Sequence, residues 1–300
     1  MLPTGEQIEI ESGDQRAVVV EVGGGLRTYE AAGQAVLDGY EPSDMCRSGR
    51  GQVLIPWPNR LQDGSYEFGG RRHQLPLNEI EKSDAIHGLV RWSAWTAGTV
   101  ERDRAVMEHV LHPQPGYPFS LALHVEYALG PDGLSVTTTA TNAGTEPCPY
   151  GSGAHPYLTL GSAGVDVLVL CVPAAVVLSG DEHGIPVGRF PVDGTDYDFR
   201  EPKPIGSTRL DDCFTDLERD GDDLVHVRLE HPDGGGRTLW ADDAYGYLMV
   251  FTGDPLPDVH RRSLAVEPMT CPPNAFRSGE ALITLAPGAS FSSTWGITPG

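Results

Sequence analysis

Basic residues are scarce in this sequence. It contains 21 lysines and arginines against 42 aspartates and glutamates, which gives a formal net charge of −21 at pH 7 with histidine neutral. Proteins that bind the phosphate backbone of nucleic acids present a basic surface instead. We therefore expect no nucleic-acid partner.

Cysteines and long apolar runs are also few. The five cysteines form an odd set without a CxxC pair, so neither a disulfide framework nor a zinc knuckle is predicted. A reducing cytoplasm is the location that fits them best. The first residues, MLPTGEQIEIESGDQR, carry acids where a secretory signal has a basic and then an apolar stretch. No run of ~18 apolar residues follows, and we expect no contact with a membrane.

Windows suited to helices are rare, because 37 glycines and 25 prolines interrupt most stretches of the chain. Alternation of apolar and polar residues is frequent instead, and it indicates half-buried strands. It occurs in LALHVEYAL (121–129), LSVTTTATN (134–142), VLVLCV (167–172), LVHVRLEH (224–231), YLMVFTG (247–253) and SLAVEPM (263–269). The pattern predicts one all-β domain over residues 1–300, an antiparallel sandwich or barrel with few short helices.

Several common catalytic and metal-binding signatures are missing. The sequence contains no GxSxG, HExxH, Walker or complete GxGxxG motif, which removes the usual support for hydrolase and nucleotide-binding functions. The acidic stretch DDCFTDLERDGDD (211–223) resembles the start of an EF-hand loop, but Val227 stands where that loop needs a bidentate glutamate. A solvated acidic loop is predicted there, and no metal site.

The first of four candidate segments is IPWPNRLQDGSYEFGG. Pro56 and Pro58 stiffen the backbone on both sides of Trp57, so Asn59 and Arg60 follow a rigid stretch. A guanidinium held in this way can donate two hydrogen bonds to neighbouring sugar hydroxyls. The alternative is that Arg60 pairs with one of the many carboxylates.

The second segment is SDAIHGLVRWSAW. His87 precedes Gly88, which permits close approach of the backbone, and Arg91, Trp92 and Trp95 follow. Indole faces stack on sugar rings, so a cation among aromatic residues suits a carbohydrate or a sugar phosphate. The alternative is a structural histidine, one of ten in the chain.

The third segment is YGSGAHPYLTL. His155 lies directly before Pro156, which restricts its backbone, and Gly151 and Gly153 leave space nearby. An imidazole with a pKa near ~6.5 on a rigid backbone is a suitable proton donor. A histidine that merely caps a loop is the alternative.

The fourth segment is SLAVEPMTCPPNAF. Strand alternation places Glu267 on the same face as Ala265 and Met269. A carboxylate in apolar surroundings acquires either a raised pKa or a charged partner, which makes Glu267 a candidate general base. A structural ion pair with Arg261 or Arg262 is the alternative.

Together these segments resemble the aldose 1-epimerases, the galactose mutarotase family. The matching motifs occur in family order across residues 59–276: Asn59-Arg60 followed by Gly-x-Tyr-x-Phe, His87-Gly88, His155-Pro156-Tyr157, Asp211 within LDDCF, and Glu267-Pro268. The resemblance implies a large antiparallel β-sandwich of the galactose mutarotase type. Asp212 adjoins Asp211, so a shift of one residue would change that assignment, and an exposed acidic loop is its alternative.

The resemblance also implies a reaction and roles for the residues. By similarity Glu267 removes the proton from the C1 hydroxyl of a sugar and His155 protonates the ring oxygen, without a metal or other cofactor. The resemblance assigns the sugar-binding roles to Arg60, His87, Asp211, Asn59, Tyr157 and Arg91. The expected partner is a small sugar, and the expected assembly is a monomer or a homodimer.

Two departures from the family leave the substrate open. Mutarotases often carry a glutamine near a Tyr-Thr-Gly segment, whereas the corresponding LMVFTG has Met249 and Phe251. The HGLVRW segment resembles hexose-6-phosphate epimerases, in which Arg91 would help to hold a phosphate. We therefore expect an epimerase for a free hexose such as glucose or galactose, with a hexose-6-phosphate 1-epimerase and a non-catalytic carbohydrate-binding protein as alternatives.

Overall fold

The structure is a computed structural model that describes residues 1–161 and 164–300. Strands make up most of its regular structure, as the alternation predicts. The strands are β1 (Gln7–Ser12), β2 (Gln15–Val20), β3 (Leu26–Ala31), β4 (Gln34–Ala35), β5 (Val53–Leu54), β6 (Arg60–Leu61), β7 (Ser65–Phe68), β8 (Arg71–Gln74), β9 (Ala85–Ile86), β10 (Thr96–Val100), β11 (Arg104–Leu111), β12 (Leu121–Gly130), β13 (Gly133–Asn142), β14 (Cys148–Tyr150), β15 (Gly153–Ala154), β16 (Tyr157–Leu158), β17 (Val169–Cys171), β18 (Ala174–Gly180), β19 (Pro186–Pro191), β20 (Lys203–Pro204), β21 (Asp211–Leu217), β22 (Val225–Glu230), β23 (Gly236–Ala241), β24 (Tyr247–Phe251), β25 (Leu264–Met269), β26 (Ile283–Leu285) and β27 (Ser290–Pro299).

Helical structure is short within the described residues. One α-helical turn, α1 (Ala275–Ser278), is accompanied by 3₁₀ turns at Gln62–Gly64, Ile80–Lys82 and Val165–Val167. None of the helices within 1–161 and 164–300 has the length and apolarity needed to cross a membrane.

Two large antiparallel sheets dominate the fold. The first has nine strands in the order β10-β11-β12-β13-β27-β23-β22-β17-β20. The second has eight, in the order β19-β18-β21-β24-β25-β15-β5, with β16 also paired to β25. A four-stranded sheet, β1-β2-β3-β4, and three two-stranded sheets complete the arrangement. The prediction of an all-β antiparallel fold is confirmed.

The alternating segments form strands because every second side chain enters the core. In β12 the buried residues are Leu121, Leu123, Val125, Tyr127 and Leu129, in agreement with the sequence pattern. Side chains from both large sheets contribute to one core: Val125 and Val227 come from the first, and Phe214, Val250 and Val266 from the second. The two sheets therefore pack as a sandwich.

The acidic stretch 211–223 differs from the prediction of a solvated loop. Its first part is strand β21, inside the eight-stranded sheet between β18 and β24. Cys213 and Phe214 are buried there, because the short run CFT alternates between the two faces of the sheet. The loop prediction is wrong for this part, since pairing with two neighbouring strands outweighs the local abundance of carboxylates.

Candidate active site

The candidate site lies on the face of the eight-stranded sheet that points away from the main core. In β25, Val266 belongs to the main core, and Glu267 therefore points to the opposite face. Glu267 is paired with Met249 on β24, and Met249 is paired with Cys213 on β21. Paired residues on adjacent strands share a face, so these three side chains form one row.

The surface around Glu267 is apolar and rich in sulphur. A second cluster of buried side chains, separate from the main core, consists of Leu178, Cys213, Tyr247, Met249 and Met269. Burial raises the pKa of the Cys213 thiol well above its usual value, which keeps this sulphur neutral. Glu267 is therefore the ionisable group of its row.

Glu267 makes a direct contact with His155. The Nε2 atom of His155 lies 3.3 Å from Oε1 of Glu267, and the two side chains are 6% and 3% exposed. The other polar atoms, Nδ1 of His155 and Oε2 of Glu267, are buried without a hydrogen-bond partner among the described residues. Buried polar atoms normally have partners, so these two leave hydrogen-bonding capacity for a ligand.

His155 is held by its backbone and by a neighbouring ring. Its N–H donates to the carbonyl of Gln52 at 3.2 Å, and its own carbonyl accepts from Gly51 N–H at 2.9 Å. The ring of Tyr157 stacks on the imidazole with centroids 4.9 Å apart and an angle of 11° between the planes. These contacts define the plane of the imidazole.

The turn that contains Gly49 limits the remaining space around His155. Gly49 has φ +75°, and a Cβ at this position would lie 2.5 Å from Cδ2 of His155. Only a residue without a side chain fits both the backbone conformation and the contact. The imidazole is therefore confined at one edge by main chain.

His87 lies next to His155 and is fixed in one tautomer. Asn59 N–H donates to Nδ1 of His87 at 3.1 Å, so the ring proton of neutral His87 is on Nε2. The His87 and His155 rings meet edge to face at 5.3 Å. Gly88 follows with no space for a Cβ, which would lie 2.0 Å from the Ile55 carbonyl. His87 is thus a hydrogen-bond donor through Nε2.

Burial shifts the ionisation of the pair in opposite directions. It lowers the pKa of His155 to about 3, and the positive charges of Arg91 and Arg50 add to this effect. It raises the pKa of Glu267 well above the usual value, with a further contribution from the Asp211 carboxylate. Burial therefore favours the neutral imidazole of His155 and the protonated carboxyl of Glu267.

Arg60 is close to the same site but already has an anionic partner. Its Nε and Nη2 atoms donate to the two carboxylate oxygens of Glu79 at 2.8 and 3.0 Å. Arg60 therefore pairs with a carboxylate, which was the alternative interpretation of the sequence. A Cβ on Gly184 would lie 2.5 Å from Nη1 of Arg60, so a hairpin loop covers this guanidinium. The side chain of Asn59 accepts the N–H of Arg60 at 2.8 Å.

Of the two adjacent aspartates, Asp211 shares the face of Glu267. It stands two residues before Cys213 on β21 and is exposed, whereas Asp212 points to the opposite face. The Asp211 carboxylate adds to burial in raising the pKa of Glu267. Burial raises the pKa of Asp212 to about 6.

The residues after His87 separate into different environments. Arg91 is half-buried, and it donates to Oε1 of Gln52 at 3.3 Å and to the carbonyl of Ile86 at 3.4 Å, two neutral partners. Its Nε is buried without a partner among the described residues. Trp92 is 53% exposed, whereas Trp95 belongs to the main core. The expectation that Trp95 offers a face to a sugar is wrong, because that indole is buried.

The same residues can be considered as a metal site. His87, His155 and Glu267 place three possible ligand atoms within 4.8 Å of one another. A metal would need a free lone pair on His87, but Nδ1 accepts the N–H of Asn59 and Nε2 carries the proton. The two remaining groups are fewer than the three protein ligands typical of catalytic zinc. The arrangement suits proton transfer better than metal coordination.

Other residues around the site were not identified from the sequence. Five such residues contact or pair with residues of the site: Gly49, Arg50, Gln52, Glu79 and Cys213. The glycines on both sides of Arg50 indicate a turn, but the sequence contains no signal that this turn lies against His155. Strand alternation places Cys213 on the face of the site once 211–217 is recognised as a strand.

Comparisons with known proteins identify the family to which the chain is similar. A family model described as aldose 1-epimerase matches residues 6–298. The chain is 37% identical over 286 residues to the uncharacterised protein YihR of Escherichia coli strain K12, covering 95% of this chain and 90% of that protein. It is 26% identical over 218 residues to galactose mutarotase of Sus scrofa, covering 68% of this chain and 62% of that enzyme.

Solved structures show the same fold. The GalM/aldose epimerase homologue from C. elegans has a TM-score of 0.87 and 18% identity, and the match covers 98% of both chains. The expected sandwich of the galactose mutarotase type is thereby confirmed. With a family match over nearly its whole length and a relative of similar size, the chain belongs to the aldose 1-epimerase family.

Proposed function

We propose that this protein is an aldose 1-epimerase that interconverts the α and β anomers of a free hexose such as glucose or galactose without a cofactor. The observation that carries the proposal is the contact of 3.3 Å between His155 Nε2 and Glu267 Oε1, two buried groups on the outer face of the sheet. An acid and a base in contact can reach two neighbouring oxygens of one pyranose, the C1 hydroxyl and the ring oxygen.

In the proposed reaction, Glu267 as carboxylate takes the proton of the C1 hydroxyl and protonated His155 donates a proton to the ring oxygen. The bond between C1 and the ring oxygen breaks, its electron pair remains on the oxygen, and C1 becomes an aldehyde carbon. After rotation about the C1–C2 bond, the former ring oxygen attacks the other face of the aldehyde. His155 then recovers its proton and Glu267 returns the other to the C1 oxygen.

The proposed reactive form differs from the form that burial favours by the position of one proton. Burial favours a protonated Glu267 carboxyl beside a neutral His155, and moving one proton from the carboxyl to the imidazole produces the carboxylate and imidazolium used in the reaction. The contact between Oε1 and Nε2 provides the path for its transfer to His155. We infer that hydroxyl groups of the bound sugar stabilise the carboxylate of Glu267 and so favour this transfer.

The sugar-binding residues have different proposed roles. His87 donates through Nε2, Asp211 accepts hydroxyl protons, and Arg60 donates through guanidinium protons that its two hydrogen bonds to Glu79 leave free. The Tyr157 hydroxyl donates to the carbonyl of Ser48 at 2.9 Å, so its proposed role is to orient His155 rather than to bind a hydroxyl. Asn59 acts in the same indirect way, through its backbone contacts with His87.

A hexose 6-phosphate is the second candidate substrate, and Arg91 is the observation that favours it. The two hydrogen bonds of this guanidinium go to neutral oxygens, and its Nε is unpartnered among the described residues. A charged guanidinium without a carboxylate partner is available to an anion. The net charge of −21 opposes an anionic substrate at long range, which is why we place the free hexose first.

A non-catalytic carbohydrate-binding protein is the third candidate. A binding protein does not require a buried carboxyl beside a buried imidazole. Burying such a pair lowers the stability of the fold, so its presence favours a function that uses both groups. Isothermal titration with a sugar, combined with rate measurements, separates the two functions. Binding of a hexose without any acceleration of anomer exchange would favour the binding protein.

Polarimetry with freshly dissolved α-glucose, α-galactose and glucose 6-phosphate tests the proposal. We expect the approach to anomeric equilibrium to be accelerated for at least one free hexose, and Glu267→Gln serves as the inactive control. Acceleration of the phosphate alone would replace the free hexose by the second candidate. Spontaneous rates for all three sugars would contradict epimerase activity on them.

A further inference from the structure

Arg50 is a buried arginine next to the site that neither the sequence motifs nor the proposed reaction uses. It stands between Gly49 and Gly51 and is 6% exposed. Its Nη2 donates to Oδ2 of Asp38 at 3.2 Å, and its Nε has no partner among the described residues. Burying a long cationic side chain is costly, so its position requires an explanation.

The carboxylate that anchors Arg50 has several other partners. Asp38 also accepts hydrogen bonds from Arg262 at 2.7 and 3.0 Å and from the Ser263 hydroxyl at 2.7 Å. The carboxylate therefore keeps cationic and neutral partners even without Arg50. Removing the Arg50 guanidinium does not leave Asp38 as an isolated buried charge.

Arg50 reaches the catalytic pair through one aromatic ring. Its guanidinium carbon lies 4.4 Å from the centroid of the Tyr157 ring, and that ring is stacked on the imidazole of His155. The hydroxyl of Tyr157 is tied to the carbonyl of Ser48, two residues before Arg50. The turn with Arg50 and the ring that orients His155 are therefore one contiguous unit.

The surroundings of His155 make the charge of Arg50 important. The ionisable groups that face the imidazole are Glu267 on β25, His87, Tyr157, Arg91 and Arg50. The two arginines disfavour the imidazolium, because water does not screen charges well in a buried site. Arg50 differs from Arg91 in that it also contacts the ring stacked on His155.

We propose that Arg50 is a positioning residue that acts through Tyr157: its contact with the Tyr157 ring holds the plane of the His155 imidazole, and its positive charge favours transfer of the His155 proton to the ring oxygen. This inference rests on the proposed epimerase function. The planar contact of Arg50 orients the imidazole, and its charge affects proton donation by His155.

Two substitutions separate these effects. Arg50→Met removes the charge and retains an unbranched side chain, whereas Arg50→Lys retains the charge and loses the planar group. For Arg50→Met we expect the pH–rate profile of kcat to move to higher pH by about half to one pH unit. Its kcat at pH 7 should fall on the order of 10-fold, with less than a twofold change in KM, because the sugar contacts remain.

For Arg50→Lys we expect the pH–rate profile to stay in place while kcat falls several-fold. Arg237→Met is the matched control, because Arg237 is similarly buried but donates to the carbonyls of Gly236 and Ala35. It should leave the pH profile unchanged. A profile that is unchanged in Arg50→Met, or displaced equally in Arg237→Met, would overturn the proposal.

A second readout does not depend on catalysis. The ring signals of His155 are followed by NMR in histidine-labelled protein, and their titration should occur at higher pH in Arg50→Met than in the parent. Identical titrations in two folded proteins overturn the role of Arg50. If the parent protein accelerates no sugar, the epimerase proposal fails, yet the NMR comparison still decides whether Arg50 acts on His155. If Arg50→Met does not fold, Arg50→Gln, which also removes the charge but keeps a hydrogen-bond donor for Asp38, is used in its place.

Discussion

Gly49 and His155 contact each other so closely that a methyl group on Gly49 would lie 2.5 Å from Cδ2 of the imidazole. Gly49 also has φ +75°, a conformation that residues with a side chain rarely adopt. The contact lies beside the pair formed by His155 and Glu267. A small change in this turn should therefore displace the imidazole before it disturbs the rest of the fold.

Gly49→Ala tests that relationship. We expect kcat to fall by about 10²-fold, since a displacement of about 1 Å is sufficient for such a loss. Gly33→Ala is the matched control, because Gly33 has φ +70° but no atom within 4 Å of the position that its methyl group would take. Both variants share the backbone strain of a positive φ, so Gly33→Ala measures the effect of that strain without the contact. Equal activities of the two variants would contradict the importance of the contact.

Glu267→Gln and His155→Asn remove the proposed base and acid. Each should lower turnover at least about 10²-fold while sugar binding measured by titration calorimetry is largely retained. Glutamine and asparagine preserve much of the shape and the hydrogen-bonding capacity of the original side chains. Nearly unchanged turnover in either variant would exclude the role assigned to that residue.

Asp211→Asn and Asp212→Asn distinguish the two neighbouring aspartates. Asp211 shares the face of Glu267 and Asp212 does not. We expect Asp211→Asn to raise KM for the sugar about 10-fold, the loss typical of a hydrogen bond to a charged group. Asp212→Asn should leave KM unchanged, and the reverse result would shift the assignment by one residue.

Asp212→Asn should also change the dependence of stability on pH. Burial raises the pKa of Asp212 in the folded protein to about 6, above the ordinary value of 3.8. Between these values the folded state retains a proton that the unfolded state has lost, so this carboxyl lowers stability progressively as the pH rises through that range. At pH 8 the full penalty, on the order of 2–3 kcal/mol, applies.

Chemical unfolding at pH 8 and at pH 4 measures this effect. Asparagine carries no charge, so the variant should gain stability relative to the parent at pH 8 and show little gain at pH 4. The relevant quantity is the difference between variant and parent, since other groups that titrate are common to both. A gain of the same size at both pH values would contradict a buried ionisation as its cause.

The prediction of the fold succeeded where local alternation is strong. The segments at 121–129 and 263–269 form strands with the expected buried faces, and the position of Glu267 among apolar neighbours follows from them. The prediction was wrong at 211–217, where carboxylates indicate a loop but pairing with β18 and β24 produces a strand. It was also wrong for Trp95, because an aromatic residue near a histidine motif can equally serve the core.

Local patterns in the sequence were sufficient to predict the strand alternation, the face on which Glu267 lies and the restricted backbones near His155 and Asn59, because these depend on the geometry of neighbouring residues. Only the folded chain shows that Glu267 meets His155, that Asn59 sets the tautomer of His87, and that the turn with Gly49 and Arg50 lies against the site. These contacts join residues far apart in the chain. They arise from the packing of two sheets and their loops, and the alternation of residues along a single strand does not predict that packing.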